Sequence, residues 1–319
     1  MTAGDREFAG LAEPLRPEIL AHCYRMLGSA ADAEDAVQET YLRAWRAYER
    51  FEGRSSFRVW LHQIATNACL RAAEQRGRRA LPSGLGAPED VWRDQPVVVA
   101  PHVQWVQPLP VDPADVIGLR HHVRLAFVAA LQHLPARQRA VLILRDVAGL
   151  QAEEVATALG TTTIAVNSAL RRARAHLARV APAADELGEP EDPGRLALLD
   201  RYVAAFQHSD LGVLAAVLRE DVTLEMPPHA TWFAGRAAVA GFFGAHVLGD
   251  PDRFRLETLT AGRPTANGQP TVAFYLAGRD GGHDAHALHV LDLSATGVAG
   301  IHVVLEPALF ARFGLPAHR

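Results

Sequence analysis

From Leu134 to Arg179 apolar residues return at helical spacing in three bursts, each closed by a glycine or opened by a hydroxyl residue. After Leu134-Pro135, the run Arg137 to Val147 carries Val141, Leu142, Leu144 and Val147 on one side and stops at Gly149. Gln151 to Leu159 reads as a short helix with Val155 and Leu159 inward and Gly160 at its end. Thr161 to Thr163 then offer capping hydroxyls to a third helix, whose stripe is Val166, Leu170, Ala173 and Leu177. Its opposite face is polar and basic: Asn167, Ser168, Arg171, Arg172 and Arg174. A short helix, a glycine turn and a longer Arg-rich helix form the helix-turn-helix pattern, in which the second helix enters the major groove. The same pattern is also compatible with a helical bundle that has a solvated basic face.

The first eighty residues repeat the helical period. Leu15 to Leu27 places Ile19, Leu20, Cys23 and Leu27 together before Gly28-Ser29. In the helix opening near Asp32, Ala36, Val37, Thr40, Tyr41, Ala44 and Trp45 are expected inward, with Asp35, Gln38, Glu39 and Arg43 outward. The loop Glu49 to Ser56 leads into a helix striped by Phe57, Trp60, Leu61, Ile64, Ala65, Ala68 and Cys69. Aromatic rings beside arginine suit single-stranded bases, which need a stacking surface and phosphate neutralisation. For Phe57 and Trp60 themselves, burial in the core is the preferred reading.

Residues 81 to 119 lose this periodicity. They are proline-rich and acidic, with Glu89, Asp90, Asp94, Asp112 and Asp115 against Arg93, and they read as a linker in which Trp105 to Pro110 forms an apolar docking cluster. A second hinge spans 181 to 194. Beyond it come helices at Leu196 to Gln207, Leu211 to Leu218 and Ala237 to Val247. Strands are expected at Val222 to Met226, Phe254 to Thr260, Thr271 to Ala277, Ala285 to Leu293 and Val298 to Leu305. Helices first and strands after predict an α+β cone.

Composition changes this picture little. The chain has 319 residues and a net charge of -4, so any affinity for nucleic acid has to come from local charge. Arg71 to Arg79 and Arg171 to Arg179 supply it, and every basic residue is arginine. Cys23 and Cys69 sit in apolar stripes away from metal-ligand spacing and read as reduced core thiols, which fits a cytoplasmic protein. No apolar run approaches the ~18 residues of a membrane span.

DAEDAVQETYLRAW and FRVWLHQIATNACL, followed by the helix-turn-helix, resemble an extracytoplasmic-function sigma factor of bacterial RNA polymerase. The later residues YVAAFQHSDLGVLAAVLREDVTLEMPP, Trp232, Gly235 and ANGQPTVAFY resemble a SnoaL-like domain of the nuclear transport factor 2 superfamily. The implied fold class is multidomain: all-α sigma-2 and sigma-4 helical domains, the latter a helix-turn-helix, plus a C-terminal α+β SnoaL-like cone. The domains are expected at 1-80 (sigma-2), 81-119 (linker), 120-180 (sigma-4), 181-194 (hinge) and 195-319 (SnoaL-like).

The resemblance implies a promoter-specificity subunit with no catalytic residues, metal or cofactor, whose partners are core RNA polymerase and promoter DNA. It assigns Asp35, Gln38 and Glu39 to polymerase docking. Arg54, Ser55, Asn67, Arg71 and Arg78 fall to the -10 element, and Thr163, Asn167, Ser168, Arg171, Arg172 and Arg174 to the -35 element. It also implies a linker that threads the polymerase channels. Arg71, Asn167 and Ala169 depart from the family's usual residues, which implies a promoter preference of its own. The tail is expected to modulate activity, with Trp232, Tyr275 and His289 as candidate pocket residues for a small-molecule ligand. Two readings stay open beside this: a helix-turn-helix factor independent of polymerase, and a regulator whose pocket turns over a small molecule.

Overall fold

The computed structural model describes residues 3–93, 97–111, 124–180, 193–259, 264–278 and 280–319. Asp94, Asp112, Asp115, Thr260, the 119/120 boundary and residues 181–192 of the expected hinge lie outside the described residues. The chain divides into two units. One comprises the described parts of Met1–Arg79, Val106–Leu109 and Gly118–Pro182, the other those of Ala80–Trp105, Pro110–Ile117 and Ala183–Arg319.

The first unit is helical. α1 (Ala3–Ala12), α2 (Arg16–Leu27), α3 (Ala30–Ala47) and α4 (Phe57–Arg76) surround a core of Ile19, Cys23, Tyr24, Met26, Val37, Leu61 and Cys69. Their ends follow local chemistry. Gly28 adopts φ 69 to close α2, and the Ser29 and Ser56 hydroxyls accept the Asp32 and Val59 amides to start α3 and α4. Two outcomes differ from expectation. α1 was not foreseen, and Trp45 is 51% exposed because it lies about 100° around α3 from the buried Ala44. Its indole N–H donates to Asp5 Oδ1 of α1 at 3.0 Å.

α5 (Leu125–Gln132), α6 (Ala136–Leu142), α7 (Ala152–Leu159) and α8 (Thr163–Val180) form the second helical group, with a π-helical turn at Ile143–Val147 continuing α6. The stripe Val166, Leu170, Ala173 and Leu177 is buried. Glu154 accepts the Gln151 amide at the start of α7, and Thr162 Oγ1 accepts the Ala165 amide in the first turn of α8. This group is joined to α2 by buried polar contacts. Gln132 Nε2 donates to Arg25 O at 3.1 Å, and the Arg139 guanidinium donates to Met26 O, Gln132 O and Leu134 O. These carbonyls of the last turn of α2 have no partner within their own helix, which explains why such polar residues are buried there. Val106 and Leu109 are also buried in this unit, where Gln107 O accepts from the Tyr24 hydroxyl at 2.8 Å.

In the second unit β1 (Pro110–Val111) pairs with β5 (Thr265–Ala266). The main sheet uses β2 (Leu218–Glu225), β3 (Trp232–Ala234), β4 (Phe254–Leu259), β6 (Thr271–Ala277), β7 (His283–Ser294) and β8 (Gly297–Val304), in the order β3-β2-β8-β7-β6-β4. β2 and β8 run parallel and every other pair in this sheet is antiparallel. The concave face packs on α9 (Pro193–Gln207), α10 (Leu211–Val217) and α11 (Arg236–His246) around Tyr202, Phe206, Phe243 and Phe274. The other face buries Tyr275, Leu288 and Val290 beneath Leu309, Phe310 and Phe313 of a C-terminal 3-10 turn.

Candidate nucleic-acid interface

A groove of about 440 Å³ opens where the loop before α4 meets the helix-turn-helix. Phe51 and Trp60 form its apolar side, with ring centroids 4.8 Å apart, and Phe57 backs Trp60 at 5.6 Å. Arg50, Arg54, Ser55 and Gln63 add charge and hydrogen-bonding groups, while Glu153, Glu154 and Thr157 of α7 form the facing wall. Phe57 and Trp60 are half-buried, so they serve packing and surface together. Arg54 also pairs with Glu52.

Of the residues expected at the -10 element, Arg54 and Ser55 line this groove. Asn67, half-buried, and Arg71 and Arg78, both exposed, do not. Arg71 instead lies 3.8 Å from Glu39 on α3. Phe51, Gln63 and the α7 acids were missed, since only the tertiary fold brings them to α4. Gln63 alone had a local signal, one turn from Trp60 on the same helix face.

α8 presents Asn167, Arg171 and Arg172 to solvent, with Thr163 and Ser168 half-buried. Arg174 is exposed but forks onto Asp146 at 2.8 and 2.6 Å, which leaves it committed within the protein. Ile164, 78% exposed in the first turn, is an apolar group on the same face that periodicity did not single out. On α3, Asp35, Gln38 and Glu39 are exposed, and Leu42 and Trp45 extend the same face with 54% and 51% exposure. That face combines acids with apolar area, as a docking helix does.

Between α2 and α4, Glu18 is bound by Arg58 and His62. Burial pushes the Glu18 carboxyl up, yet hydrogen bonds from His62, at 2.7 Å, and Arg58 outweigh it and hold its pKa at about 2. Arg58 also donates to Ala148 O at 2.8 Å.

The C-terminal unit holds a partly open cavity of about 220 Å³, lined by Met226, Phe242, Phe243, Phe274, His286 and His289 among others. Of the expected pocket residues only His289 lines it. Tyr275 is turned to the opposite core by strand alternation after Phe274, and Trp232 instead donates its indole N–H to Gly86 O at 3.0 Å. His289 stacks on Phe274 at 3.8 Å and shares a 2.8 Å hydrogen bond with the Tyr202 hydroxyl. Burial, with His286 adding to it, lowers its pKa to about 3. On β8, buried His302 lies 3.1 Å from Asp292 and 3.7 Å from Glu225; burial lowers its pKa, but these carboxylates outweigh that and raise it.

The acid limb of stability follows from His289. The unfolded chain takes up its proton near 6.5, the folded one only near 3, so this contribution is complete above 6.5 and is lost as pH falls from there. The loss is at most about 1.4 kcal/mol per pH unit. Urea midpoints of the C-terminal transition should therefore drop between pH 7 and 5 by more in the parent than in a His289→Gln variant; parallel midpoints would refute the assignment.

Family models match three stretches: Sigma-70 region 2 at residues 11–79, Sigma-70 region 4 at 124–177 and a SnoaL-like domain at 199–297. ECF RNA polymerase sigma factor SigG of Mycobacterium tuberculosis is 48% identical over 318 residues, covering 97% of this chain and 84% of the relative. The probable ECF RNA polymerase sigma factor SigI of the same organism is 27% identical, covering 89% and 88%. The crystal structure of Mycobacterium tuberculosis extracytoplasmic function sigma factor SigJ shares the fold with TM-score 0.60 at 23% identity, over 96% of this chain and 98% of that one. No helix among the described residues is long and apolar enough to cross a membrane. With both sigma-70 regions in order and 48% identity to SigG across 97% of its own length, the chain belongs to the ECF RNA polymerase sigma factors and directs transcription initiation.

Proposed function

We propose that this sigma factor joins core RNA polymerase through the α3 face of Asp35, Gln38, Glu39, Leu42 and Trp45, and reads its promoter with two separate surfaces. The groove of Phe51, Trp60, Arg50 and Arg54 takes an unstacked base of the -10 strand, since rings supply the stacking and guanidiniums the phosphate charge. α8 reads the -35 major groove: Asn167 suits adenine, Arg171 and Arg172 suit guanine, and exposed Ile164 suits a thymine methyl. The aromatic and basic lining of the groove carries the reading, because a purely structural loop has no use for exposed arginines beside half-buried rings. Such a protein acts in the cytoplasm, where polymerase and promoters are.

The C-terminal domain adjusts this activity rather than performing chemistry. Run-off transcription with purified core polymerase on a genomic fragment pool tests both parts. The full chain is expected to give discrete, polymerase-dependent transcripts, and a chain ending at residue 180 a changed yield from the same start sites. Absence of discrete transcripts sinks the first reading, and equal yields sink the second. A further reading is favoured by the 220 Å³ cavity: a compact apolar ligand with one group able to hydrogen-bond neutral His289.

A further inference from the structure

The linker that joins the two helical groups behaves in this structure as a ligand of the C-terminal domain. Its stretch Ser83–Arg93 lies along β3: the Glu89 amide donates to Trp232 O at 2.9 Å, and the Ala234 amide donates to Glu89 O at 3.0 Å. Val97–Ala100 follows the turn before β3, where Val98 O accepts the Ala230 amide at 2.7 Å and the Ala100 amide donates to Pro228 O at 3.0 Å. At one end the Ser83 amide donates to the buried Glu225 carboxylate at 3.0 Å. Between them Trp92 sets its ring edge-on against Phe233, Phe242 and His246, with centroids 5.8, 5.5 and 4.8 Å away. α11 receives it on a glycine: a Cβ added at Gly241 would stand 2.9 Å from Trp92 Cβ.

We propose that the β3 edge and the α11 face form a docking groove for an extended peptide, that its occupant is this chain's own linker, and that release of the linker frees the two DNA-reading surfaces. A paired strand edge and an aromatic socket are parts by which domains capture extended peptides. The hold is light. Leu85, Val91, Val98 and Val99 remain exposed, so the docked stretch is held by Trp92, by the partly buried Val97, by the Trp232 indole on Gly86 O, by Thr231 Oγ1 accepting the Val98 amide and by a few backbone hydrogen bonds, the make-up of a segment that opens without unfolding its host. Release matters because residues 80–123 are the covalent tether between α4 and α5. Docking at 83–100 withdraws up to about 60 Å of extended chain from that tether, at ~3.4 Å per residue. Once the contacts of Gln132 and Arg139 with the end of α2 open, two readers on one tether reach separate promoter elements only as far as its free length allows.

This inference rests on the reading that the C-terminal domain adjusts activity, and it is tested in the full chain with Trp92→Ala and Gly241→Ala. The first removes the anchor from outside the domain's core. The second blocks the socket while placing a better helix former in α11, so folding is not at risk. Hydrogen exchange at the Glu89, Ala100, Ala230 and Ala234 amides is expected to quicken about tenfold or more in both, with the Phe206 and Phe274 regions unchanged, and run-off transcript to rise severalfold. Unchanged exchange in both variants overturns the docking. Faster exchange with unchanged or reduced transcript overturns its regulatory role, and the adjusting role of the domain then survives only if the chain ending at residue 180 differs in yield.

Discussion

Trp60→Ala is expected to keep the affinity of the holoenzyme for a -35 duplex and to lose formation of the open complex. Trp60 lines the groove with the Phe51 and Phe57 rings 4.8 and 5.6 Å away, so removing it takes away the stacking partner and leaves the arginines in place. Stacking of a base on an aromatic side chain contributes about 1–3 kcal/mol, which corresponds to a roughly 5- to 150-fold fall in open complexes. Permanganate reactivity of unpaired thymines measures that fall directly, and Trp60→Phe should recover most of it because a ring is retained. If Trp60→Ala melts promoters at the parental level, the groove is not the base-capture site.

Arg139→Ala is the change expected to destabilise the helical unit most. Arg139 is 5% exposed and its guanidinium serves three backbone carbonyls, Met26 O, Gln132 O and Leu134 O; burial brings its pKa down to about 10. Deleting it leaves those acceptors in a dry site with nothing to bind, a loss of roughly 2–4 kcal/mol. Arg139→Lys should not restore it, since one ammonium cannot span carbonyls arranged around a planar fork. A urea midpoint within error of the parent for Arg139→Ala would show that water replaces the side chain without cost.

Periodicity made most of this fold legible. The stripe Val166, Leu170, Ala173, Leu177 is buried as its spacing requires, and β6 runs over the expected Thr271–Ala277. What stayed hidden depends on partners distant in sequence. α1 has little inward face of its own beyond Phe8 and Ala12. The π-helical turn at Ile143–Val147 changes hydrogen-bond register without disturbing the apolar pattern. Parallel pairing of β2 with β8 is a matter of topology, which strand patterns do not encode. The same limit governs the sites. Arg54 and Ser55 were readable as a loop beside an aromatic helix, whereas α7 joins them only through tertiary packing. For Tyr275, one residue of strand alternation decided between cavity and core.

Glu153 and Glu154, at the groove opposite Arg50 and Arg54, have a consequence for competition. Carboxylates held on the same molecule confront those guanidiniums at an effective concentration in the millimolar range, whatever the protein concentration. A DNA phosphate entering the groove therefore competes with like charges fixed in the protein. α7 of the helix-turn-helix thereby adds a negative wall to the groove that a single strand has to enter.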